Sequence, residues 1–284
     1  MSMKSQRKKL NNDCYNIRRV SPVKKVFVLL ILFYCDEVYG KHLSHAKDTI
    51  PVAANIFGIN KIYNAASLRT LKNKVRKKDT SLNVIKILHI GDSHVKAGIF
   101  SETFIEKMNS WFGQTLHNNV FFNAQTFCKT GTKYSDYDEL AELNQQLLST
   151  KPDFVIISLG TNDAFSGSSR SKFYEKVDHL VKQIKALSPS SAMLLTTPAD
   201  ALKKNKKTGI YESLPDLQNV ISIIIQYAND HQIAYWNLQQ LMGGNYSINT
   251  WVYKKLAMPD RVHFTKRGYI IIGEWLFDAV KNCL

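Results

Sequence analysis

The sequence predicts an α/β protein of three layers, with helices on both faces of a five-stranded parallel sheet. From Asn83 onward, short β-branched apolar runs alternate with longer stretches of helical period, the pattern of strands joined by crossover helices. The run Val155-Ile156-Ile157-Ser158-Leu159 is almost continuously apolar, as expected for a central strand that is covered on both faces. A chain of 284 residues can hold such a domain as a single unit.

The elements follow one another in a regular order. Strands are predicted at residues 84–90, 120–123, 154–159, 192–196 and 233–238. Helices are predicted at residues 99–112, 137–149, 171–187, 214–231 and 266–281. Five strands in this order make a flavodoxin-like three-layer α/β/α sandwich, in which functional side chains gather at the carboxyl ends of the strands.

The composition indicates a basic globular protein. Lys and Arg total 38 against 23 acidic residues, which gives a formal net charge of +15 and favours an anionic partner. A hydrophobic content of 44 % excludes a disordered chain, and four cysteines in this length exclude a disulfide scaffold. The lysine run at residues 203–207 is predicted to be a solvated loop, or alternatively to hold an anionic polymer. No nucleic acid is expected, because this run has no interleaved aromatic side chains.

The N-terminal residues 1–40 have the pattern of a secretory signal. A basic segment precedes an apolar run at residues 26–35, and small residues follow near Gly40. This run is shorter than the roughly 20 residues that span a bilayer core. We therefore expect export to the periplasm or cell envelope, with possible membrane attachment through this segment. A buried strand, a short membrane-associated helix and a lipidated Cys35 are the alternatives.

Residues 41–82 are predicted to be a Lys-rich segment that leads into a domain at residues 83–284. A helix is possible at residues 65–75, but a solvated approach to the domain is the simpler interpretation. Once the leader is removed, only Cys128 and Cys283 remain, and we expect two free thiols, with a disulfide between them as the alternative in an oxidising compartment.

Four polar or glycine-containing clusters stand where a parallel sheet would bring them together. Three follow the first three strands and one precedes the last helix: Gly91-Asp92-Ser93-His94, Thr130-Gly131-Thr132, Gly160-Thr161-Asn162-Asp163 and Asp260-Arg261-Val262-His263. Because the carboxyl ends of parallel strands meet at one edge, these clusters are expected to form a single site.

The chemistry of these clusters is complementary. Ser93 offers a hydroxyl on a turn between a strand and a helix, His263 offers a base, and Asp260 can orient that base. The backbone N–H groups of Ser93 and Gly131 and the side-chain amide of Asn162 can form an oxyanion hole. These residues predict acyl transfer by a serine nucleophile without a cofactor. No metal site is expected, because the histidines lack metal-ligand spacing.

Together the four blocks resemble those of the SGNH (GDSL-type) hydrolases, in the family's order and at the expected structural places. The resemblance implies Ser93 as nucleophile, His263 as base, Asp260 as its partner, and Gly131 and Asn162 as oxyanion donors beside the N–H of Ser93. The Gly-x-Ser-x-Gly motif is absent, since position 95 is Val, which argues against an α/β-hydrolase.

A narrower resemblance concerns the C-terminal third. Trp236-Asn237-Leu238, Met242-Gly243-Gly244, Trp251 and Asp260-Arg261-Val262-His263-Phe264-Thr265 are similar to the C-terminal block of bacterial peptidoglycan O-acetylesterases. This resemblance implies a serine esterase that removes O-acetyl groups from a cell-envelope glycan. The alternatives are a lysophospholipase or thioesterase of the same family and a non-catalytic glycan-binding module.

Other side chains near the clusters have a structural and a functional interpretation. We expect Asp92 and Asp163 to bind backbone N–H groups of their loops, and His94 to have no catalytic role. His89 is expected to be a satisfied core residue. Whether Trp251, Tyr246 and Phe165 line a sugar-binding cleft or pack in the core is left open, as is the choice between pocket wall and turn for residues 242–244.

Overall fold

The computed structural model describes residues 59–77, 81–115 and 119–284. The leader expected in residues 1–40 lies outside the described residues. In the part of the chain that is described, no helix is both long enough and apolar enough to cross a membrane.

The strands and helices have the following bounds. The strands are β1 Asn83–Gly91, β2 Val120–Cys128, β3 Phe154–Ser158, β4 Ala192–Thr196, β5 Leu202–Lys204, β6 Tyr211–Ser213 and β7 Ala234–Trp236. The helices are α1 Arg69–Val75, α2 Ser93–Lys96, α3 Ile99–Thr115, α4 Ala141–Thr150, α5 Thr161–Ser166, α6 Arg170–Leu187, α7 Leu217–Asp230, α8 Leu238–Met242, α9 Ser247–Tyr253 and α10 Lys266–Lys281. Single 3₁₀ turns lie at Ala65–Leu68 and Tyr134–Asp136.

The central sheet confirms the predicted fold class. Its five strands are all parallel, in the order β2-β1-β3-β4-β7, and β5 pairs with β6 in a separate antiparallel hairpin. Strand β1 lies between β2 and β3, so the order in which strands are added to the sheet reverses at β1, beside its carboxyl end. Ligand sites of open α/β sheets lie at such a reversal.

Alternate residues of the central strands enter two different cores. Ile87 and Ile156 pack on one face of the sheet with α3 and α10, whereas Leu88 and Val155 pack on the other with α4, α6 and α7. Because successive side chains of a strand point to opposite faces, a strand covered on both faces has to be apolar throughout.

Several predicted boundaries were wrong, each for a local reason. Strand β2 continues past residue 123 to Cys128, because this edge strand has a partly solvated face and polar residues alternate along it. Helix α4 begins at Ala141 rather than residue 137, after a 3₁₀ turn, and α7 begins at Leu217 rather than 214, because Pro215 disfavours helix before it. The last strand, β7, ends at Trp236, because Asn237 caps α8.

The expectation of a solvated approach to the domain was wrong for residues 62–75. The helix considered there forms as α1, and its apolar residues Leu71 and Val75 are buried on the domain. Tyr63 exchanges backbone hydrogen bonds with Tyr235 of β7, at 2.9 and 3.1 Å. The lysines of α1 are only partly exposed and bond to the domain, Lys74 for example to Asp153 at 2.6 Å, so the charge in the sequence did not mark a solvated segment.

Candidate active site

Ser93 is held at the end of β1, an inner strand of the sheet, by the turn that follows this strand. Asp92 is buried and caps α2, since its Oδ1 accepts a hydrogen bond from the N–H of His94 at 2.9 Å. Ser93 is the first residue of that short helix and is partly exposed. This confirms the structural role expected for Asp92.

The tightness of this turn requires glycine at position 91. A Cβ there would lie 2.1 Å from Cγ2 of Val95, a buried side chain, and 3.1 Å from the carbonyl oxygen of Ser158. The strand and α2 therefore meet at a distance that no larger residue allows.

We expect Gly91→Ala to destabilise the protein by about 1–3 kcal/mol or more, because the new methyl group overpacks this contact. Gly113→Ala is the matched control, since a Cβ at this exposed helical position meets no atom within 4 Å. Alanine in a helix interior stabilises by up to about 1 kcal/mol over glycine. Urea unfolding of both variants measures the difference, and equal stabilities would contradict the close packing at Gly91.

The structure brings Ser93, His263 and Asp260 into one hydrogen-bonded chain. The Oγ of Ser93 lies 3.0 Å from Nε2 of His263, and Nδ1 of His263 lies 2.8 Å from Oδ2 of Asp260. An ionised carboxylate can only accept, so Nδ1 of His263 carries the proton and Nε2 is left to accept from the hydroxyl of Ser93. This is the geometry that a general base and its serine require.

The loop that carries Asp260 and His263 is preorganised. Burial alone would raise the pKa of Asp260, but the hydrogen bonds it accepts from His263 and from the N–H groups of Val262 and His263 outweigh burial and lower it. The loop is closed by a hydrogen bond from the N–H of Met258 to the carbonyl of His263, at 2.7 Å, and by an antiparallel β-bridge between Ala257 and Phe264. Asp260 is therefore ionised and fixed before substrate arrives.

Two of the predicted oxyanion donors are backbone N–H groups in the loops that follow β1 and β2. In the part of the chain that the structure describes, the N–H groups of Ser93 and Gly131 have no acceptor. Gly131 has φ +80°, in the left-handed region, and a Cβ there would meet no atom within 4 Å. Glycine is thus required by the backbone conformation, and the space beside it stays open to a ligand.

The side-chain amide of Asn162 lies between the loops that carry these two donors. Its Nδ2 donates to the carbonyl of Thr132 at 3.0 Å and to Oδ2 of Asp92 at 3.3 Å. Thr132 follows Gly131 and Asp92 precedes Ser93, so the amide is bonded to a neighbour of each of the two predicted backbone donors. The longer, weaker bond to Asp92 can be exchanged for one to a developing oxyanion.

Asp163 joins two loops of the site rather than only its own. Its Oδ2 accepts from the N–H of Tyr134 at 3.2 Å, while its Oδ1 is buried without a partner among the described residues. Burial raises the pKa of Asp163 from 3.8 to about 6, and the N–H of Tyr134 and nearby lysines oppose this only in part. The loop after β2 is thereby tied to α5.

The raised pKa of Asp163 predicts a pH-dependent stability. Between about pH 4 and pH 6 the folded state holds a proton that the unfolded chain has lost, so the free energy of unfolding falls as pH rises. At pH 7 the buried carboxylate costs roughly 3 kcal/mol. Asp163→Asn keeps an acceptor for Tyr134 and removes the charge, so we expect it to be more stable than wild type at pH 7. Urea unfolding at pH 4 and pH 7 tests this, and a wild-type-like pH dependence in the variant would contradict it.

His94 is placed beside the triad but not within it. Its Nδ1 lies 3.2 Å from the hydroxyl of Tyr269, and its ring centroid lies 5.4 Å from that of His263. Burial lowers the pKa of His94, and the neighbouring Asp92 opposes this only in part. His94 therefore presents a neutral ring to His263. The contact with Tyr269 was missed from sequence, because nothing in the spacing of the two residues indicates it.

His89 is a satisfied core residue, as expected. Its two ring nitrogens each lie 2.8 Å from a hydroxyl, that of Ser101 on one side and that of Ser158 on the other. Burial lowers the pKa of His89 to about 3. A neutral histidine with both nitrogens paired stabilises the end of β1 below the site.

The sequence left open whether three aromatic residues line a cleft or pack in the core, and the structure divides them into one buried residue and two exposed ones. Trp251 is buried, packs edge-on against Phe264 and donates from its indole N–H to the carbonyl of Met242 at 3.3 Å. Phe165, on the helix that carries Asn162, and Tyr246 are exposed. Met242 is buried and Gly243 ends α8 at φ +116°, so residues 242–244 form a helix end and turn.

A small cavity lies beside His94 and Tyr269, and neither Ser93 nor His263 lines it. It measures about 30 Å³ and is lined mainly by buried apolar and hydroxyl side chains, among them Phe100, Thr197 and Leu238. A cavity needs about 10–15 Å³ to hold one water molecule, so this cavity holds only a few atoms.

A parallel α/β sheet with a hydrogen-bonded Ser–His–Asp chain and unpaired N–H donors at its carboxyl edge is the framework of a carboxylic ester hydrolase. The protein is such an enzyme. The chain belongs to the GDSL-like lipase/acylhydrolase family, whose profile matches residues 89–271. This range contains all four blocks, and the family resemblance inferred from them is confirmed. Comparison with curated protein sequences gives no match.

Solved structures share the fold at low sequence identity. A peptidoglycan O-acetylesterase is 16 % identical with a TM-score of 0.64, and the match covers 77 % of this chain and 95 % of that one. An acetyl xylan esterase is 22 % identical with a TM-score of 0.52, covering 69 % of this chain and 100 % of that one. A lipase/acylhydrolase from Enterococcus faecalis is 18 % identical with a TM-score of 0.54, covering 70 % and 96 %.

Proposed function

We propose that this esterase removes O-acetyl groups from a cell-envelope glycan, with peptidoglycan as its substrate, outside the cytoplasm. The observation that carries the proposal is the openness of the triad. The side chains of His263 and Asp260 are 42 % and 50 % exposed, so an ester on a bulky polymer can reach Ser93.

The similar structures agree with an acetylated glycan as substrate. The peptidoglycan O-acetylesterase and the acetyl xylan esterase both act on acetyl esters of polysaccharides, as their names state. The C-terminal block that contains Asp260 and His263 favours the first of these. Phe165 is exposed on the same helix as Asn162, where its ring can stack on a sugar.

In the proposed reaction, Oγ of Ser93 attacks the acetyl carbonyl carbon while its proton passes to Nε2 of His263. The oxyanion of the tetrahedral intermediate accepts hydrogen bonds from the N–H groups of Ser93 and Gly131 and from the amide of Asn162. His263 then protonates the departing sugar hydroxyl, which leaves an acetyl ester on Ser93. A water deprotonated by His263 attacks this ester, and acetate and free Ser93 result.

Acetate release from three acyl donors tests the proposed substrate. We expect the purified protein to deacetylate O-acetylated peptidoglycan faster than O-acetylated xylan, and to act least on a lysophospholipid. Ser93→Ala is the control for release that does not depend on the site. A preference for the lysophospholipid would overturn the proposed substrate and favour the lysophospholipase alternative, and a protein inert to every ester would favour a glycan-binding module.

Action on an envelope polymer requires export, for which residues 1–40 are proposed to be the signal. If the leader is cleaved, the secreted protein begins near Lys41, which the mass of the intact secreted protein measures. Retention of residues 1–40 on membrane-bound protein would contradict cleavage and indicate an anchor, and a lipid adduct on Cys35 would indicate a lipoprotein.

A further inference from the structure

The hairpin β5–β6, with its connecting turn (residues 202–213, here the basic hairpin), concentrates positive charge. Its four lysines, Lys203, Lys204, Lys206 and Lys207, are all exposed, and none forms an ion pair within the described residues. The carboxylate of the hairpin, Glu212, accepts a hydrogen bond from Asn205 at 3.0 Å. The basic hairpin thus carries four ammonium groups against one carboxylate, which lies opposite Lys203 across the two strands.

The lysine run is solvent-exposed, as the sequence predicted, but its backbone forms a hairpin and an ordered turn instead of an irregular loop. Asn205 Oδ1 accepts from the N–H of Lys207 at 2.9 Å, and the backbone of Asn205 pairs with Ile210 at 2.8 Å and Gly209 at 2.8 Å. The lysines therefore project from a defined backbone, so part of the entropy cost of placing their charges is already met.

The basic hairpin is bonded directly to the loop that carries Asp260 and His263. The N–H of Leu202 donates to the carbonyl of Arg261 at 3.0 Å, and the hydroxyl of Tyr211 donates to the carbonyl of Pro259 at 3.1 Å. The guanidinium of Arg261 stacks 3.7 Å above the ring of Tyr211. These contacts hold the residues on both sides of Asp260, so the basic hairpin flanks the catalytic loop.

We propose that the basic hairpin is a docking surface for an anionic glycan polymer and holds the strand whose ester enters the site. This inference rests on the proposed function, because the polymer that it names is the carboxylate-bearing substrate. Lysine is a compact, hydrated point charge, which suits attraction to repeated carboxylates on a flexible strand without a fixed pairing geometry.

The lack of an open aromatic ring on the basic hairpin favours a glycan over a nucleic acid as its partner. Single-stranded nucleic acids bind where bases stack on open aromatic faces beside the basic groups. On the basic hairpin, the ring of Tyr211 is already covered by the guanidinium of Arg261. The surface therefore offers charge without a stacking platform.

The experiment compares two pairs of substitutions that remove the same charge. Lys206→Gln/Lys207→Gln changes the turn of the basic hairpin, and Lys172→Gln/Lys185→Gln changes two exposed lysines on α6. Binding is measured by sedimentation with insoluble peptidoglycan whose esters have been removed by mild base. Activity is measured as kcat/KM on O-acetylated peptidoglycan and on 4-nitrophenyl acetate.

At an ionic strength of about 0.01 M, we expect the hairpin pair to bind the polymer roughly three- to tenfold more weakly, with a similar fall in kcat/KM on it. The control pair should change little, and the difference should vanish near 1 M salt, where charges are screened within about 3 Å. Hydrolysis of 4-nitrophenyl acetate should be unchanged, because the small ester makes no contact with the hairpin.

Three results would overturn the docking surface: equal losses in the two pairs, a loss that persists in high salt, or a parallel loss on 4-nitrophenyl acetate. Hairpin-dependent binding to anionic phospholipid vesicles, without binding to peptidoglycan, would also overturn it. If wild-type protein binds the de-esterified polymer through the hairpin but releases no acetate from the acetylated one, the proposed substrate is wrong and the docking surface stands.

Discussion

Ser93→Ala and His263→Ala are each expected to lower kcat on an acetyl ester by roughly 10⁴–10⁶. Ser93 supplies the attacking oxygen, and His263 is the base within 3.0 Å of it. Neither works without the other, so the double variant should lose no more than the worse single variant. Steady-state rates of the three variants on 4-nitrophenyl acetate measure these effects.

The folding of these variants can be checked independently of their activity. Ser93 is only partly buried, and its replacement by alanine removes one hydroxyl without opening the core. The unfolding curve of Ser93→Ala should therefore match that of the wild type. If the losses of the two single variants multiplied in the double variant, Ser93 and His263 would act independently. The hydrogen-bonded pair would then not be the reacting unit.

Asn162→Ala is expected to lower kcat by roughly 10²–10³ with little change in KM, because the oxyanion that its amide would bind exists only in the transition state. Two backbone donors, at Ser93 and Gly131, would remain, so some activity is retained. Steady-state kinetics on an acetyl ester separate the two constants.

Asp163→Ala is the informative comparison, since it changes the adjacent residue. It leaves the N–H of Tyr134 without the acceptor at 3.2 Å, so we expect lost stability and soluble yield rather than a specific loss of kcat. If Asn162→Ala kept full kcat while KM rose, Asn162 would bind the ground state and would not be an oxyanion donor.

The sequence predicted those strands and site residues whose positions follow from the geometry of a parallel sheet. A continuous apolar run can satisfy both faces of a sheet only as a covered central strand, so β3 and β1 could be placed within a residue or two. Once the strands are parallel, their carboxyl ends converge, and Ser93, Gly131 and Asn162 come together although they are distant in sequence. Asp260 and His263 could be paired with them because they share one short loop.

The parts that could not be predicted depend on contacts between distant segments. The basic hairpin has no alternating apolar pattern, and it is held by Arg261 and Pro259 rather than by its own side chains. Helix α1 could not be chosen over a solvated segment, because its lysines bond to residues distant in sequence, Lys72 to the carbonyl of Cys283 and Lys74 to Asp153. Trp251 could not be assigned to core or cleft, because the choice depends on Phe264 lying against it.

The acyl-enzyme tests the catalytic role of Ser93 most directly. Protein mixed briefly with an activated acetyl ester and quenched in acid should gain the mass of one acetyl group, on the peptide that contains Ser93, and Ser93→Ala should gain none. An acetyl group on any other residue that turns over at the rate of catalysis, or undiminished labelling of Ser93→Ala, would contradict the assignment of Ser93 as the nucleophile.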